Sequence, residues 1–261
     1  MFIPLHDANS LKYIKVQYVT LGIIVINVAV WFLAGILASQ TFSDETVVGL
    51  GYIPAVVFNF AELEPGLILV PADATYITYA FIHTDFVHLA TNMLFLWVFG
   101  DNVEDALGHV RFLIFYLACA AAGAFVHGIV QPASEAPLIG ASGAISGVVA
   151  AYLLLHPKVR VWVLVLFRIP LPLPAAVPLL LWVVQQFYMM AVEPDGSVSW
   201  GAHVGGILAG AALVLVLRRR GVPLFDRTIT TPQAVRHKEA TPTDPADRAK
   251  APPVPPIRWG R

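Results

Sequence analysis

The chain has 261 residues, of which 57% are hydrophobic and 13% are charged, about half of the charged fraction typical of a soluble globular protein. So few charged side chains do not cover a water-soluble domain of this length, which excludes a single soluble globule and requires many apolar residues to face lipid. The formal net charge of -1 gives no electrostatic footprint for nucleic acid, and the single cysteine, Cys119, excludes an internal disulfide and a cysteine-built metal site.

Six mostly apolar runs without Lys or Arg approach or reach the roughly 20 residues that a helix needs to cross a bilayer. They predict an all-α polytopic membrane protein with spans at about Tyr18 to Ser39, Asp85 to Gly100, Phe112 to Val130, Gly140 to Leu155, Ala175 to Val192 and Trp200 to Leu217. The first run is expected to be an uncleaved anchor, because it exceeds the apolar core of a signal peptide. The run Val161 to Phe167 is too short to span and is predicted to be an interfacial loop segment.

The distribution of basic residues predicts the orientation. Before the last span, all of them lie on one side of the predicted membrane: Lys12, Lys15, Arg111, Lys158, Arg160 and Arg168. The connections on the other side, residues 40–84, 131–139 and 193–199, carry acidic residues and no Lys or Arg. By the positive-inside rule, we expect an integral multi-pass protein of the cell inner membrane with cytoplasmic N- and C-termini.

The segments outside the spans have distinct compositions. Residues 1–17 are expected to form a cytoplasmic N-terminal segment that precedes a membrane domain over residues 18–217. Residues 40–75 are rich in Gly, Pro and apolar side chains, and we expect this external loop to lie partly in the membrane interface. Residues 218–261 include a proline cluster and lack an apolar period, which predicts a disordered cytoplasmic tail.

Polar residues inside membrane spans are costly, so they are the first candidates for function. His88 and Asn92 in span two are four residues apart and share one face of the helix. Ser142 begins span four within a glycine-rich stretch, and His203 lies in the first turn of span six. Because all three spans are predicted to enter from the external side, these residues are expected at similar depth.

This set of side chains suits nucleophilic catalysis. A neutral imidazole accepts the proton of a serine and later returns it to a leaving amine, so Ser142 and His203 could form a nucleophile and base. Backbone N–H groups at the start of span four, His88 and Asn92 are available as donors to a tetrahedral oxyanion. Glycines at four-residue spacing allow the helices of spans four and six to approach closely.

At these residues the sequence resembles the rhomboid family of intramembrane serine proteases, over about Tyr76 to Leu217. The matching motifs are His88-x-x-x-Asn92, Gly140-Ala-Ser142-Gly143 and Ala-His203-x-x-Gly206-x-x-x-Gly210. The resemblance implies a six-transmembrane-helix bundle in which Ser142 and His203 form a catalytic dyad without a third carboxylate, and His88 and Asn92 line the oxyanion hole. Supporting roles are expected for His83, Gly140, Gly143, Ser146, Gly206 and Gly210.

The resemblance also implies partners. Substrates are expected to be single-pass membrane proteins that the protein binds within the lipid bilayer, and no cofactor, metal or nucleic acid is expected. The sequence does not indicate an oligomeric state.

His83 is compatible with a plain interfacial histidine as well as with a supporting role. Asp101 and Glu104 are expected at a solvated inner helix end with a capping role, and the resemblance implies a structural glutamate at this end of span two.

Two positions depart from the family pattern. Many members carry a tyrosine four residues after the nucleophile, packed on the catalytic imidazole, and this chain has Ser146 there. Some members carry a Trp-Arg pair in the first external loop, which here contains neither residue. The support of the His203 ring and the conformation of the loop are therefore not carried over from the family.

Alternative functions are weighed by their residue requirements. A zinc protease needs His-Glu-x-x-His, which is absent, and a serine–lysine dyad needs a lysine between Lys15 and Lys158, where none occurs. A transporter would show an internal repeat or paired broken helices, and neither is found. A catalytically inactive rhomboid-like protein that binds or escorts membrane clients stays open, although such relatives typically lack the serine or the histidine.

Overall fold

The computed structural model describes residues 2–37, 40–165, 168–194, 196 and 198–226, and its architecture is mostly helical. The helices are α1 Tyr18–Val30, α2 Gln40–Leu50, α3 Pro54–Val57, α4 Thr75–Thr78, α5 Phe86–Leu107, α6 His109–Val130, α7 Ser142–Leu155, α8 Ala176–Val192 and α9 Trp200–Leu217. A π-helix, Trp31–Leu37, continues α1, and short 3₁₀ turns occupy Pro65–Leu67, Ala72–Ala74 and Tyr79–Phe81. The predicted helical membrane fold is confirmed. The predicted tail lies outside the described residues from residue 227 onward.

The helices differ in their ability to cross a membrane. Among the described residues, α6 and α9 are long and apolar enough, and a third span arises if Pro65–Phe81 and α5, which are bent by 83°, count as one. Three further apolar helices are shorter, at Tyr18–Ala34, Ser142–Leu155 and Ala176–Val192. Each of the six predicted runs overlaps one of these helices, but the count of six spans stays a prediction.

Helices α6, α7 and α9 form the centre of the bundle, with α7 almost fully buried. Glycines bring α7 and α9 into backbone contact: a Cβ on Gly206 would overlap the carbonyl oxygen of Gly143, and a Cβ on Gly210 would overlap that of Gly147. On the other side of α9, Gly205 lies against the carbonyl oxygen of Ala122 in α6. The small residues therefore set the separation of the three helices, as is common in membranes.

The end of α5 extends seven residues beyond the predicted limit at Gly100, and two acidic side chains of this extension, Glu104 and Asp105, are buried and accept hydrogen bonds. Glu104 is fully buried and accepts hydrogen bonds from the backbone N–H groups of Val19 and Thr20 at 3.0 and 2.8 Å, and from the Thr20 hydroxyl at 2.7 Å. These N–H groups belong to the first turn of α1, so Glu104 caps that helix from a neighbouring one. The expected capping role agrees with these contacts, whereas the expected solvation is wrong for Glu104.

Asp105 fixes the chain before α1. Its carboxylate accepts hydrogen bonds from three successive backbone N–H groups at 2.7 to 2.9 Å, those of Lys12, Tyr13 and Ile14. The Lys12 ammonium also pairs with Asp226 at 3.0 Å, beyond the end of α9. The N-terminal segment is therefore tied to the end of the bundle that carries the basic residues, here called the basic side; the opposite end is the site side.

A three-stranded antiparallel sheet lies beside this end, in the order β1 (Phe2–Asp7), β2 (Arg160–Val165), β3 (Ile169–Pro174). The segment predicted as an interfacial loop is therefore strand β2 up to Val165, and residues 166–167 lie outside the described part. Val161 and Val163 point into the core while Trp162 is exposed, which is the alternation of a half-buried strand. The three prolines of β3 fall at every second position, compatible with an edge strand whose missing donors face away from β2.

Asp7, the last residue of β1, makes stability depend on pH. It is buried and accepts hydrogen bonds from Asn102 at 3.0 Å and Tyr152 at 2.7 Å, and burial raises its pKa to about 6. Because this value exceeds the value of about 3.9 in an unfolded chain, the folded state retains the proton longer, and stability falls as pH rises from about 4 to 6 by roughly 2 to 3 kcal/mol. Asp7→Asn is expected to lose this component. Thermal unfolding of both proteins in detergent between pH 4 and 7 checks it, and equal slopes would contradict it.

Candidate functional site

The site side brings together the first turns of α5, α7 and α9, which carry His88, Ser142 and His203. Ser142 is the first residue of α7 and is partly exposed, as is His203 in the first turn of α9. The partial positive charge of the N-terminal end of α7 therefore lies at Ser142, where free backbone N–H groups also point out of the helix. The three polar residues predicted from separate spans are gathered at one end of the bundle.

Contacts between the residues next to Ser142 and those near His203 bring the first turns of α7 and α9 close together. A Cβ on Gly143, next to Ser142, would lie 3.4 Å from the carbonyl oxygen and 3.8 Å from the Cβ of Ala202, next to His203. Gly206, three residues after His203 in α9, lies against the carbonyl oxygen of Gly143. A side chain at Gly206 would separate the two helices, whereas a Cβ at Gly143 would meet Ala202 at ordinary contact distance. Gly206 and Gly210 therefore allow the close approach of the serine and histidine helices.

His88 and His83 lie against the segment that leads into α7. A Cβ on Gly140 would come within 2.5 Å of the His88 ring, and Gly140 has a φ of +106°, which few residues with side chains adopt. His83 accepts a hydrogen bond on Nε2 from the backbone N–H of Ala141 at 3.4 Å. The two imidazole rings pack edge to face at 4.9 Å. Gly140 is thus needed both for the turn and for the close approach of His88.

Asn92 is buried one turn after His88. Its side-chain Nδ2 donates to the carbonyl oxygen of His88 at 2.9 Å, which uses one of its two N–H groups. At the start of the same helix, Asp85 accepts a hydrogen bond from the backbone N–H of His88 at 2.8 Å and forms the N-cap of α5. These local bonds fix the helix turn that presents His88 and Asn92.

Ser146 lies on α7, but its hydroxyl is turned toward its own helix. It is buried and donates to the carbonyl oxygen of Ser142 at 2.6 Å. The Ser146 hydroxyl therefore has its hydrogen-bond partner in the backbone of its own helix, one turn back. Ser146, at the position where many family members have a tyrosine, therefore hydrogen-bonds to the backbone of α7 in this chain.

His203 is held by residues that sequence reasoning missed. Its Nδ1 lies 2.7 Å from Oε1 of Gln186 in α8, and its ring packs near Trp182 and Trp200 with centroid distances of 6.1 and 6.0 Å. Gln186 is the only buried member of the Gln185–Gln186 pair. A polar pair inside an apolar span was the signal that could have identified it, since such residues are rarely placed in a membrane without a partner.

The first loop closes against the segment before Ser142. Tyr52 and Leu138 exchange two backbone hydrogen bonds, at 3.0 and 2.8 Å, and Tyr52 is fully buried. The loop also forms the walls of an open cavity of about 400 Å³, lined mostly by apolar residues of the range 48–75. In the part of the chain that the structure describes, no group of three or more His, Cys, Asp or Glu side chains is arranged to hold a metal ion.

Known proteins with similar sequences carry rhomboid names. Rhomboid protein 1, mitochondrial, of Saccharomyces cerevisiae is 35% identical over 135 residues, which are 50% of this chain and 38% of that protein. RHOMBOID-like protein 12, mitochondrial, of Arabidopsis thaliana is 30% identical over 163 residues, or 56% and 47% of the two chains. Rhomboid protease GluP of Bacillus subtilis is 32% identical over 134 residues, or 51% and 25%. The chain spans less than half the length of each of these relatives.

The predicted location needs correction. The relatives from yeast and Arabidopsis are named as mitochondrial proteins, as is the zebrafish presenilin-associated rhomboid-like protein A. These names contradict the predicted location, so the prediction of a cell inner membrane is wrong. The cytoplasmic placement of both termini depended on that membrane and is withdrawn with it. The separation into a basic side and a site side is a property of the chain itself and is unaffected.

The family assignment follows from the longest match. A model of the Rhomboid domain matches residues 74–220, more than half of the chain, and this range contains His88, Asn92, Ser142 and His203. The resemblance inferred from the three motifs is thereby confirmed at the level of the family, whose members act on membrane proteins within the lipid bilayer and include proteases. This chain belongs to the rhomboid domain family.

Proposed function

We propose that this protein is an intramembrane serine endopeptidase in which Ser142 is the nucleophile and His203 is its base. The observation that carries the proposal is the glycine-mediated contact of α7 with α9, which joins the residues adjacent to Ser142 and His203. The partly exposed serine at a helix N-terminus supports it, because a nucleophile must be accessible and its developing oxyanion needs nearby donors. The relative named as a protease adds independent support.

The reaction divides into two steps. His203 removes the proton of Ser142 while Oγ attacks the scissile carbonyl carbon, giving a tetrahedral oxyanion. The imidazolium then gives this proton to the leaving amine as the C–N bond breaks, which leaves an acyl-enzyme. In the second step a water molecule gives a proton to His203 and attacks the ester, and the returning proton regenerates the Ser142 hydroxyl and releases the new carboxyl end.

The oxyanion donors come from two helices. Backbone N–H groups of the first turn of α7 lie at the nucleophile itself, and α5 supplies His88 and the second N–H of Asn92. His88 is brought to this region by its close packing on Gly140, two residues before Ser142. Donors fixed by helix geometry need little reorganisation as charge develops, which is the main source of such stabilisation.

The substrates are proposed to be single-pass membrane proteins. Their membrane helix is cleaved near the end that lies level with the site side of the bundle. A helix hides its carbonyl groups in internal hydrogen bonds, so a bond near small or helix-weakening residues is exposed more often. The partly exposed Ser142 and His203 lie at one end of the bundle, where water can take part in hydrolysis.

Labelling with a serine-directed fluorophosphonate tests the proposal. Purified protein in detergent is expected to be labelled, and Ser142→Ala is expected to lose the label completely. Ser134→Ala, in the connection between α6 and α7, is the matched control and retains labelling. Thermal unfolding shows whether each variant is folded. A folded wild-type protein that is not labelled would favour an inactive rhomboid-like protein that binds membrane clients.

A further inference from the structure

Gln186 is a buried polar side chain in the apolar helix α8. It is 2% exposed, and both ends of its amide have partners. Oε1 lies 2.7 Å from Nδ1 of His203, and Nε2 donates to the carbonyl oxygen of Trp182 at 3.0 Å. Because an unpaired amide in the bundle would be costly, these two bonds define the orientation of the side chain.

The two bonds also determine which atom of His203 carries the proton. The carbonyl oxygen of Trp182 can only accept, so the amide nitrogen of Gln186 must face it. The oxygen Oε1 therefore faces His203, and since it too can only accept, the imidazole must donate through Nδ1–H. A neutral imidazole protonated on Nδ1 has its lone pair on Nε2, the atom needed to accept a proton.

We propose that Gln186 is a positioning residue that holds His203 in the Nδ1–H tautomer, so that Nε2 is free to act as the base for Ser142. This inference rests on the proposed function of the dyad. Gln186 takes the orienting position that an aspartate fills in a Ser-His-Asp triad, but without a charge. A neutral amide avoids the cost of a carboxylate buried in a membrane.

The rings around His203 complete its support. Trp182, whose carbonyl orients Gln186, also packs near His203 with ring planes tilted by 34°, and Trp200 meets the imidazole edge-on at 86°. Trp182 therefore acts twice, through its backbone on Gln186 and through its indole on His203. These contacts come from α8 and the start of α9, whereas Ser146 of α7 is engaged with its own backbone.

Three variants separate orientation from packing. Gln186→Met keeps the length of the side chain but has no strong acceptor for Nδ1–H, so kcat is expected to fall about 10- to 100-fold, as when the partner that orients a functional histidine is lost, with KM unchanged. In its neutral form, Gln186→Glu keeps an acceptor oxygen for Nδ1–H and an O–H donor for the Trp182 carbonyl, and should restore most of the rate. Gln185→Met, at the exposed neighbouring position, is the matched control and should match the wild type.

Nitrogen-15 NMR of histidine-labelled protein in detergent measures the tautomer directly, with His203→Asn used to assign the signal. The wild type should show the Nδ1–H form of His203, and Gln186→Met should shift it toward the Nε2–H form. An Nε2–H tautomer in the wild type, or a folded Gln186→Met protein with an unchanged kcat, would overturn the inference. If Ser142 is not the nucleophile, fluorophosphonate labelling persists in Ser142→Ala. This outcome does not depend on the NMR signal, so failure of the proposed function is distinguished from failure of the inference about Gln186.

Discussion

Ser142→Ala and His203→Ala are each expected to abolish detectable turnover of a membrane-anchored substrate, with kcat falling by about 10⁴- to 10⁶-fold, and the double variant should be scarcely slower than either single variant. The physical reason is that serine and base act as one unit. Once the base is absent the hydroxyl is not activated, and once the hydroxyl is absent the base has nothing to deprotonate. Any residual rate would come from oxyanion donors and substrate binding alone.

The measurement is kcat for wild type, both single variants and the double variant in proteoliposomes, with thermal unfolding as the folding control. Fluorophosphonate labelling rates provide a second readout, because labelling needs an activated hydroxyl but no peptide substrate. Losses that add in the double variant would show that the two residues act separately. Undiminished labelling of a folded His203→Ala protein would remove His203 as the base.

A methyl group at Gly206 should destabilise the bundle more than most substitutions outside the site. The added Cβ would overlap the carbonyl oxygen of Gly143 on the facing helix, which is backbone and cannot rotate away. Overpacking of this kind costs about 1 to 3 kcal/mol and sometimes more, which exceeds the gain of up to about 1 kcal/mol in helix propensity from Gly to Ala. Gly206→Ala is therefore expected to lower the unfolding temperature.

Gly22→Ala is the matched control for Gly206→Ala. Gly22 also lies inside a helix, α1, but a Cβ there would meet nothing within 4 Å. The same substitution should therefore be neutral or slightly stabilising at this position. Thermal unfolding of both variants in one detergent compares them directly. Equal stabilities would show that α7 and α9 separate without cost, and would weaken the argument that glycine contacts hold Ser142 near His203.

Hydropathy and short motifs were enough to locate most of the helices and the candidate site. The predicted run at Trp200 to Leu217 coincides with α9, and the starts of the runs at Gly140 and Ala175 differ from those of α7 and α8 by one or two residues. Such signals are local, because the transfer of a segment into lipid depends on its own side chains. The same signals cannot name the membrane, since the bias of basic residues describes a side and not a compartment.

The sequence by itself therefore determined a helical membrane protein with His88, Asn92, Ser142 and His203 near one end of its helices. Only the tertiary structure decided what surrounds them. The acceptor for His203 is Gln186 on another helix, α1 is capped by Glu104 from 84 positions away, and β1 pairs with a strand far along the chain. Each of these contacts joins residues whose own neighbours give no sign of the partner, because a buried polar group is satisfied by whatever the packed helices place beside it.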